Sequence, residues 1–232
     1  MTSLMILALI TRMQDPSLSI SQRNDACFEL RGVAGAEVVS AMRQALGDQK
    51  VRACAATNLF KAGAIEELKD ALKDSDFEVR AVAVRELGGF EKPELLPLIA
   101  AAAQDPQLLV SINAVEGLSN YRNPVVVPFL LEVAKLGGLV GGAALDRAVQ
   151  FHDPRVLAVA RELLEHPDIT DRLTAMRALG AAGDATDLPK LRAIAREETQ
   201  AVASAGRGFG LIPAISLSRA AQTTVEAIES RR

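Results

Sequence analysis

The chain has 232 residues, 49% of them hydrophobic and 24% charged, with a formal net charge of -3, 3% aromatic residues, no Trp and two Cys. That is enough apolar material for a sizeable core, which excludes wholesale disorder, and the negative charge offers no basic field for nucleic-acid phosphates. Two Cys in this length cannot staple a secreted fold, so the core is expected to hold itself together in an intracellular, cytoplasmic protein.

The chain opens on the apolar run Leu4 to Ile10. No Lys or Arg precedes the run, no small-residue cleavage site follows it, and it is too short to span a bilayer, so a signal peptide and a membrane span are not expected. Its register places it in a repeat. Leu9, Ile10 and Met13 stand at the same offsets from Ala26 as Val38, Val39 and Met42 do from Ala55.

The repeat is an apolar residue, Arg, two variable residues, Ala, three variable residues and Leu. Val51, Arg52, Ala55 and Leu59 fit it, as do Val79, Arg80, Ala83 and Leu87. Anchored on the small residue, the series runs Ala26, Ala55, Ala83, Ala114, Ala144 and Ala175, with spacings of 29, 28, 31, 30 and 31 residues. Mostly apolar residues four before and four after each anchor share its helical face, so each repeat contains a helix with a buried seam. A second amphipathic stretch precedes each such helix, with further first helices beginning near Ile65, Leu95, Val125, Val156 and Leu188.

Turn formers separate the paired helices at Asp15-Pro16-Ser17, Gly47-Asp48, Asp74-Ser75-Asp76, Asp105-Pro106, Gly137-Gly138 and Pro167-Asp168. Gly32, Gly63, Gly88 and Gly180 stand where left-handed C-caps would suit glycine. After Glu198 the period fails. Gln200 to Gly210 is rich in Ala and Gly, Gly206-Arg207-Gly208-Phe209-Gly210 forms a loop, and a last amphipathic helix is expected from about Ile212 to Ser230 as a polar cap.

The acidic turn residue followed by Val-Arg, Ala and Leu-Gly, as in Asp76-Phe77-Glu78-Val79-Arg80 with Leu87-Gly88, Asp48 to Arg52, and Asp168 with Arg172, Ala175 and Leu179-Gly180, carries a resemblance. The repeat resembles the short HEAT-like type first associated with phycobilisome lyases. The resemblance covers roughly residues 1–198 and implies an all-α, right-handed α-α superhelix of about six helical hairpins. Residues 1–198 would be the solenoid, and residues 199–232 the loop and capping helix of the same domain.

Asp48 to Arg52, Asp76 to Arg80 and Asp168 to Arg172 share one spacing. These arginines form either an anion-binding row or, the favoured reading, an internal ladder of Asp and Arg tying adjacent hairpins together. The ladder is interrupted at Ser111 and Gly141. Gly137 to Gly142 costs about 1 kcal/mol for each Gly inside a helix, and stands either at a hinge or contact site or at a place of tight packing. His152 and His166 lie outside any metal-ligand spacing, and no lysine closes the glycine stretch as a phosphate loop requires. Glu66-Glu67, Glu197-Glu198 and Asp184 with Asp187 read as solvated faces. Cys27 stands one residue after its anchor and Cys54 one before, so the two are expected to point apart and not to pair.

On second helices the positions one before, two after and six after each anchor are expected to face away from the seam and to line the concave side. The densest polar run of that stripe gives the candidate partner-binding residues Arg85, Asn113, Glu116, Asn120, Asp146, Gln150 and Arg177, with Tyr121 near the end of its middle part. No nucleophile with a base, metal cluster or phosphate loop stands out. The expected function is therefore non-enzymatic: a scaffold or adaptor that binds a protein or peptide, with no cofactor, metal, nucleic acid or membrane. A bilin lyase or isomerase subunit, implied by the type of repeat, is the alternative, and a nucleic-acid-binding HEAT-like protein a more distant one.

Overall fold

The computed structural model describes residues 1–196 and 216–231. Among the described residues there are fourteen α-helices and no strand, so the fold is all-α. They divide into two compact units, Met1–Val126 and Val127–Arg232. In the first unit α1 (Ser3–Gln14) pairs with α2 (Ile20–Glu29), α3 (Ala36–Ala45) with α4 (Arg52–Lys61), α5 (Ile65–Ala71) with α6 (Phe77–Gly88), and α7 (Leu96–Ala102) with α8 (Leu108–Ser119). In the second unit α9 (Val127–Ala134) pairs with α10 (Gly138–Val149), α11 (Pro154–Leu163) with α12 (Ile169–Ala182), and α13 (Leu188–Arg196) with α14 (Leu217–Glu229).

The six expected hairpins are present. The expected C-terminal helix follows them: α14 packs against both α12 and α13, and so stands also as the second helix of a seventh pair. Leu217, Ala221, Thr224 and Ile228 recur at helical spacing and supply its buried face. The start expected at Ile212 and the loop Gly206 to Gly210 lie outside the described residues.

The seam follows the repeat. All six anchors are buried, with Leu30, Val51, Leu59, Val79, Leu87, Val110, Leu118 and Leu179 beside them. Local chemistry starts the helices: Ser19 and Gln22 form a reciprocal capping box on α2, while Asp76, Asp153 and Asp168 each accept a backbone N–H at the first turn of α6, α11 and α12. Gly32 and Gly63 take positive φ after α2 and α4, as left-handed caps do. Gly88 and Gly180 do not; both are ordinary helical residues, and Gly88 serves close packing. A Cβ on Gly88 would stand 2.3 Å from the Cα of Gly117, so α6 and α8 touch backbone to backbone there.

Neighbouring second helices meet along a third face that the seam pattern does not reveal. The residue after one anchor meets the residue before the next. Cys27 and Cys54 meet in this way and form a disulfide, with Cα atoms 6.3 Å apart and a sequence separation of 27. The expectation that they point apart is corrected: their opposite offsets aim them at each other, because α2 and α4 lie side by side. The cysteine argument for an intracellular location does not stand. Closing this loop stabilises the first unit by about 3–4 kcal/mol in the chain-entropy picture. Side chains on the same lateral face also reach the backbone of the preceding second helix: Asn113, one before its anchor, donates to the carbonyl of Ala81 at 3.0 Å, and Thr224 of α14 donates to the carbonyl of Met176 at 3.2 Å.

The arginine ladder ties hairpins together in the first unit. Each Arg pairs with the turn acid of the next hairpin, not with the acid four residues before it: Arg23 with Asp48, Arg52 with Asp76 and Glu78, and Arg80 with Asp105. Each also caps a carbonyl at the C-terminal end of its own first helix or the turn after it, of Met13, Leu46 and Asp74 respectively. The acids have a second task, since Asp48, Asp76 and Asp105 accept the N–H of Lys50, Glu78 and Gln107 two residues on. Arg23, at the same offset from Ala26, is a rung that the apolar-Arg pattern misses because Gln22 precedes it. Ser111 ends the run. Arg172 holds the same position in α12, and residues 197–215, which follow α13, lie outside the described residues.

Hydrogen bonds from Arg80 and Arg23 hold the carboxyls of Asp105 and Asp48 below their ordinary range. A depressed folded-state pKa stabilises the protein above the unfolded value and stops doing so as pH falls through the folded one. Asp105→Asn is therefore expected to lower stability at neutral pH, with the gap to the unmodified chain closing as pH falls through the depressed folded-state pKa of Asp105. Urea unfolding at a series of pH values checks this, and a gap that stays constant would contradict it.

The glycine stretch is a place of close packing. A Cβ on Gly141 would lie 2.6 Å from the carbonyl oxygen of Ala134 at the end of α9, and one on Gly142 would lie 3.1 Å from the Thr174 hydroxyl on α12. Gly137 and Gly138 have φ of +70° and +57°. Asp171, buried at a seam position of α12, accepts the N–H of Gly138 at 2.7 Å and so caps α10 from the neighbouring hairpin, while His166 Nδ1 lies 3.0 Å from its other oxygen. This contact offsets the poor helix propensity of the glycines. Asp171→Ala should cost about 2 kcal/mol by leaving that N–H without its cap, seen as faster hydrogen exchange at the start of α10; unchanged exchange there would contradict it.

Candidate interaction face

The outward row of the second helices is two residues after each anchor. In the first unit it carries Phe28, Thr57, Arg85 and Glu116, and in the second Asp146 and Arg177. All but Thr57 are exposed, and Thr57 is half-buried. Six after the anchors, Lys61, Asn120 and Gln150 are exposed as well.

The third set, one before the anchors, faces the preceding helix instead. Asn113 is accordingly half-buried and committed to Ala81, not displayed. Tyr121 is only 2% exposed. Its hydroxyl donates to the carbonyl of Lys92 at 2.9 Å, and burial, helped by Glu94 and Glu91, pushes its pKa up to about 12. Both expectations of surface display are corrected: Asn113 lies on the side of α8 laid against the preceding second helix, and Tyr121 lies beyond the end of α8, where the chain directs its ring inward to the carbonyl of Lys92.

Arg85, itself exposed, is paired with its neighbour Glu86, whose side chain is largely covered, at 2.9 Å. In the second unit Asp146 and Arg177 pair with each other across α10 and α12 at 2.7 Å, and Gln150 accepts from Arg147 at 2.7 Å. The structure thus brings Arg85, Glu116 and Asn120 onto one face of the first unit, and Asp146, Gln150 and Arg177 onto one face of the second.

Sequence reasoning missed an aromatic and cationic set at the C-terminal ends of the second helices of the first unit. The Arg31 guanidinium lies 4.3 Å from the ring centre of Phe28, which is 54% exposed. Phe60 and Phe90 stack at 4.7 Å between centroids with a 59° tilt, with the Lys61 ammonium 5.4 Å from the Phe60 ring centre. No shared spacing marks the set in the sequence, since Phe60 stands five after Ala55 and Phe90 seven after Ala83. A Cβ on Gly89 would meet the Phe60 ring at 3.1 Å, so a small residue there makes room for the ring.

This surface presents large contact areas and exchangeable charges. Among the described residues, no three His, Cys, Asp or Glu side chains gather as a metal ion would require, and no helix is long and apolar enough to cross a membrane. Residues 65–137 match the family model of HEAT repeats. The architecture is that of HEAT-like helical repeats.

No curated protein sequence matches the chain. Solved structures similar to it include human deoxyhypusine hydroxylase in complex with glycerol, 18% identical over 97% of this chain and 96% of that one with a TM-score of 0.42. The CpcE and CpcF complex of phycocyanin lyase from Nostoc sp. PCC7120 is 20% identical over 96% and 94%, with a TM-score of 0.43. A designed armadillo repeat protein is 15% identical over 96% and 99%, with a TM-score of 0.33. At this level of similarity the likeness concerns HEAT-like and armadillo-like architecture alone. Two of these proteins, a hydroxylase and a lyase, are enzymes, which overturns the expectation of a non-enzyme: the want of a familiar catalytic motif on helical repeats is no ground for excluding catalysis.

Proposed function

We propose that this chain is a scaffold that binds a protein or peptide partner on the outward row of second helices in its first unit. Arg85, Glu116 and Asn120 are the polar contacts and Phe28 with Arg31 the anchor. The observation that carries the reading is the exposed Phe28 ring under the Arg31 guanidinium. It makes few demands on the repeat, whereas the ladder arginines are already committed to internal carboxylates. Aromatic and Arg side chains are the commonest energetic anchors of interfaces, and an exposed ring of this size has no packing task to explain it. Asp146, Gln150 and Arg177 form the corresponding row of the second unit and are proposed as contacts of the same kind.

The test is affinity capture with the unmodified chain, the Phe28→Ala variant and the Arg85→Ala/Glu116→Ala variant. Each variant is expected to weaken retention of the captured partner by about tenfold, the effect of one interface anchor, with an unchanged helical circular dichroism signal. Equal retention by all three would refute the proposed face.

A further inference from the structure

The Cys27–Cys54 disulfide lies against an amide that it cannot satisfy. Asn58, one turn after Cys54 on α4, is buried. Its Nδ2 donates to the Cys27 carbonyl at 2.8 Å, and lies 3.4 Å from the Cys27 sulfur, 3.8 Å from the Cys54 sulfur and 3.5 Å from the Met42 sulfur. The bond to the carbonyl sets which end of the amide is nitrogen. Its Oδ1 is buried and has no hydrogen-bond partner among the described residues. Buried polar atoms without partners are uncommon in folded proteins, and an apolar side chain could fill this interface without one. A disulfide has no hydrogen to offer, whereas reduction sets two S–H donors beside this carboxamide.

The two sulfurs also differ. Cys27 is 0% exposed and Cys54 7%, and the amide nitrogen is nearer to the sulfur of Cys27. Cys54 is thus the less covered of two buried residues, so attack by an incoming thiolate is less obstructed there, and the sulfur left behind is the one with the nearer N–H donor to stabilise its charge.

We infer that Cys27–Cys54 is a thiol–disulfide exchange site for a low-molecular-weight thiol, with Cys54 as the sulfur attacked and Asn58 as the residue that favours the reduced pair. A thiolate bonds to the Cys54 sulfur, the Cys27–Cys54 bond breaks, and its electron pair leaves on Cys27, which takes a proton from solvent. A second thiolate then bonds to the small-molecule sulfur of the mixed disulfide, and Cys54 leaves as a thiolate and is protonated in turn. Two small thiols are oxidised to one disulfide while the protein disulfide is reduced to two thiols. Phe28 directly follows Cys27 and Thr57 lies three residues beyond Cys54, so the exchange makes or breaks the covalent tie beneath the outward row. The inference does not depend on what that row binds.

The whole chain is equilibrated in reduced and oxidised glutathione without denaturant, quenched by alkylation and read by mass, with circular dichroism following the fold. Reversible exchange in the folded state is expected, with the trapped glutathione adduct of the unmodified chain mapping to Cys54. Cys27→Ser should take up glutathione from its disulfide at least about tenfold faster than Cys54→Ser, since thiol access sets the rate. Asn58→Ala should move the equilibrium towards the disulfide by about fivefold to tenfold, the worth of one hydrogen bond. Exchange only in denaturant, an adduct on Cys27, equal rates for the two single-cysteine variants, or an unmoved equilibrium in a folded Asn58→Ala chain would each overturn the inference. The first two readings use the unmodified chain, so they decide the matter even where a variant does not fold.

Discussion

Gly88→Ala is expected to destabilise the first unit by about 3 kcal/mol, at the upper end of overpacking effects. The added Cβ would lie 2.3 Å from the Gly117 Cα and 2.9 Å from its carbonyl carbon and oxygen, all backbone atoms that no rotamer change can move aside. The two helices must part, and Val84, Leu87, Val115 and Leu118, buried on the helices beside this contact, would lose packing with them. Gly47→Ala is the matched control. Its Cβ would meet only the Gln44 carbonyl oxygen, at 3.5 Å, and its φ is not in the left-handed region, so its stability should change by less than about 0.5 kcal/mol. Peptide-resolved hydrogen exchange reads both: α6 and α8 should lose protection in Gly88→Ala and keep it in Gly47→Ala. Full protection in both would show that the helices have more room than the backbone contact implies.

Arg52→Ala should cost about 2–3 kcal/mol, less than the loss of a fully buried pair, because Asp76 and Glu78 keep part of their hydration when the guanidinium is gone. Three acceptors lose a donor at once: the Leu46 carbonyl at the end of the first helix of its own hairpin, Asp76 at 2.6 Å, and Glu78. Arg52→Lys should recover less than half of that loss. A single ammonium has charge but lacks the planar fork that reaches a carbonyl behind it and two carboxylates ahead. Urea titration of the two variants decides the matter. If Lys restores full stability, charge alone holds the hairpins and the geometry of the rung is incidental.

Much of the fold was legible because its information is local and periodic. Val51, Ala55 and Leu59 report a buried seam in any setting, since four-residue steps return to one side of a helix. The ladder was legible in kind, from Asp and Arg at a constant interval. Its pairing was not, because an Asp four residues before an Arg looks like its partner while the side chain is engaged by the preceding hairpin, as Asp48 is by Arg23. Tyr121 was misplaced for a related reason: nearness in sequence to exposed Asn120 says nothing about which way the chain turns after α8.

The candidate face was half legible. Positions two and six after an anchor point outward whatever surrounds them, whereas the position before it becomes lateral once a neighbouring helix is laid alongside. The same step aims Cys27 and Cys54 at each other and directs Asn113 to a backbone carbonyl. Enzymatic capacity was judged from the lack of familiar motifs, a weak criterion on a scaffold where function can arise from residues gathered from several repeats.

The amino-acid order by itself determined that this chain folds as paired helices, with Ala at their closest crossings and caps at their starts, because those outcomes depend on contacts within one hairpin. Only the tertiary structure decided the disulfide, the direction of each Arg rung, the backbone contact at Gly88 and the cap that Asp171 lends to α10. Each of these joins atoms some 25–35 residues apart on different hairpins. Such contacts depend on how far one hairpin is shifted and rotated against the next, and the short-range periodicity of a sequence carries no record of that displacement.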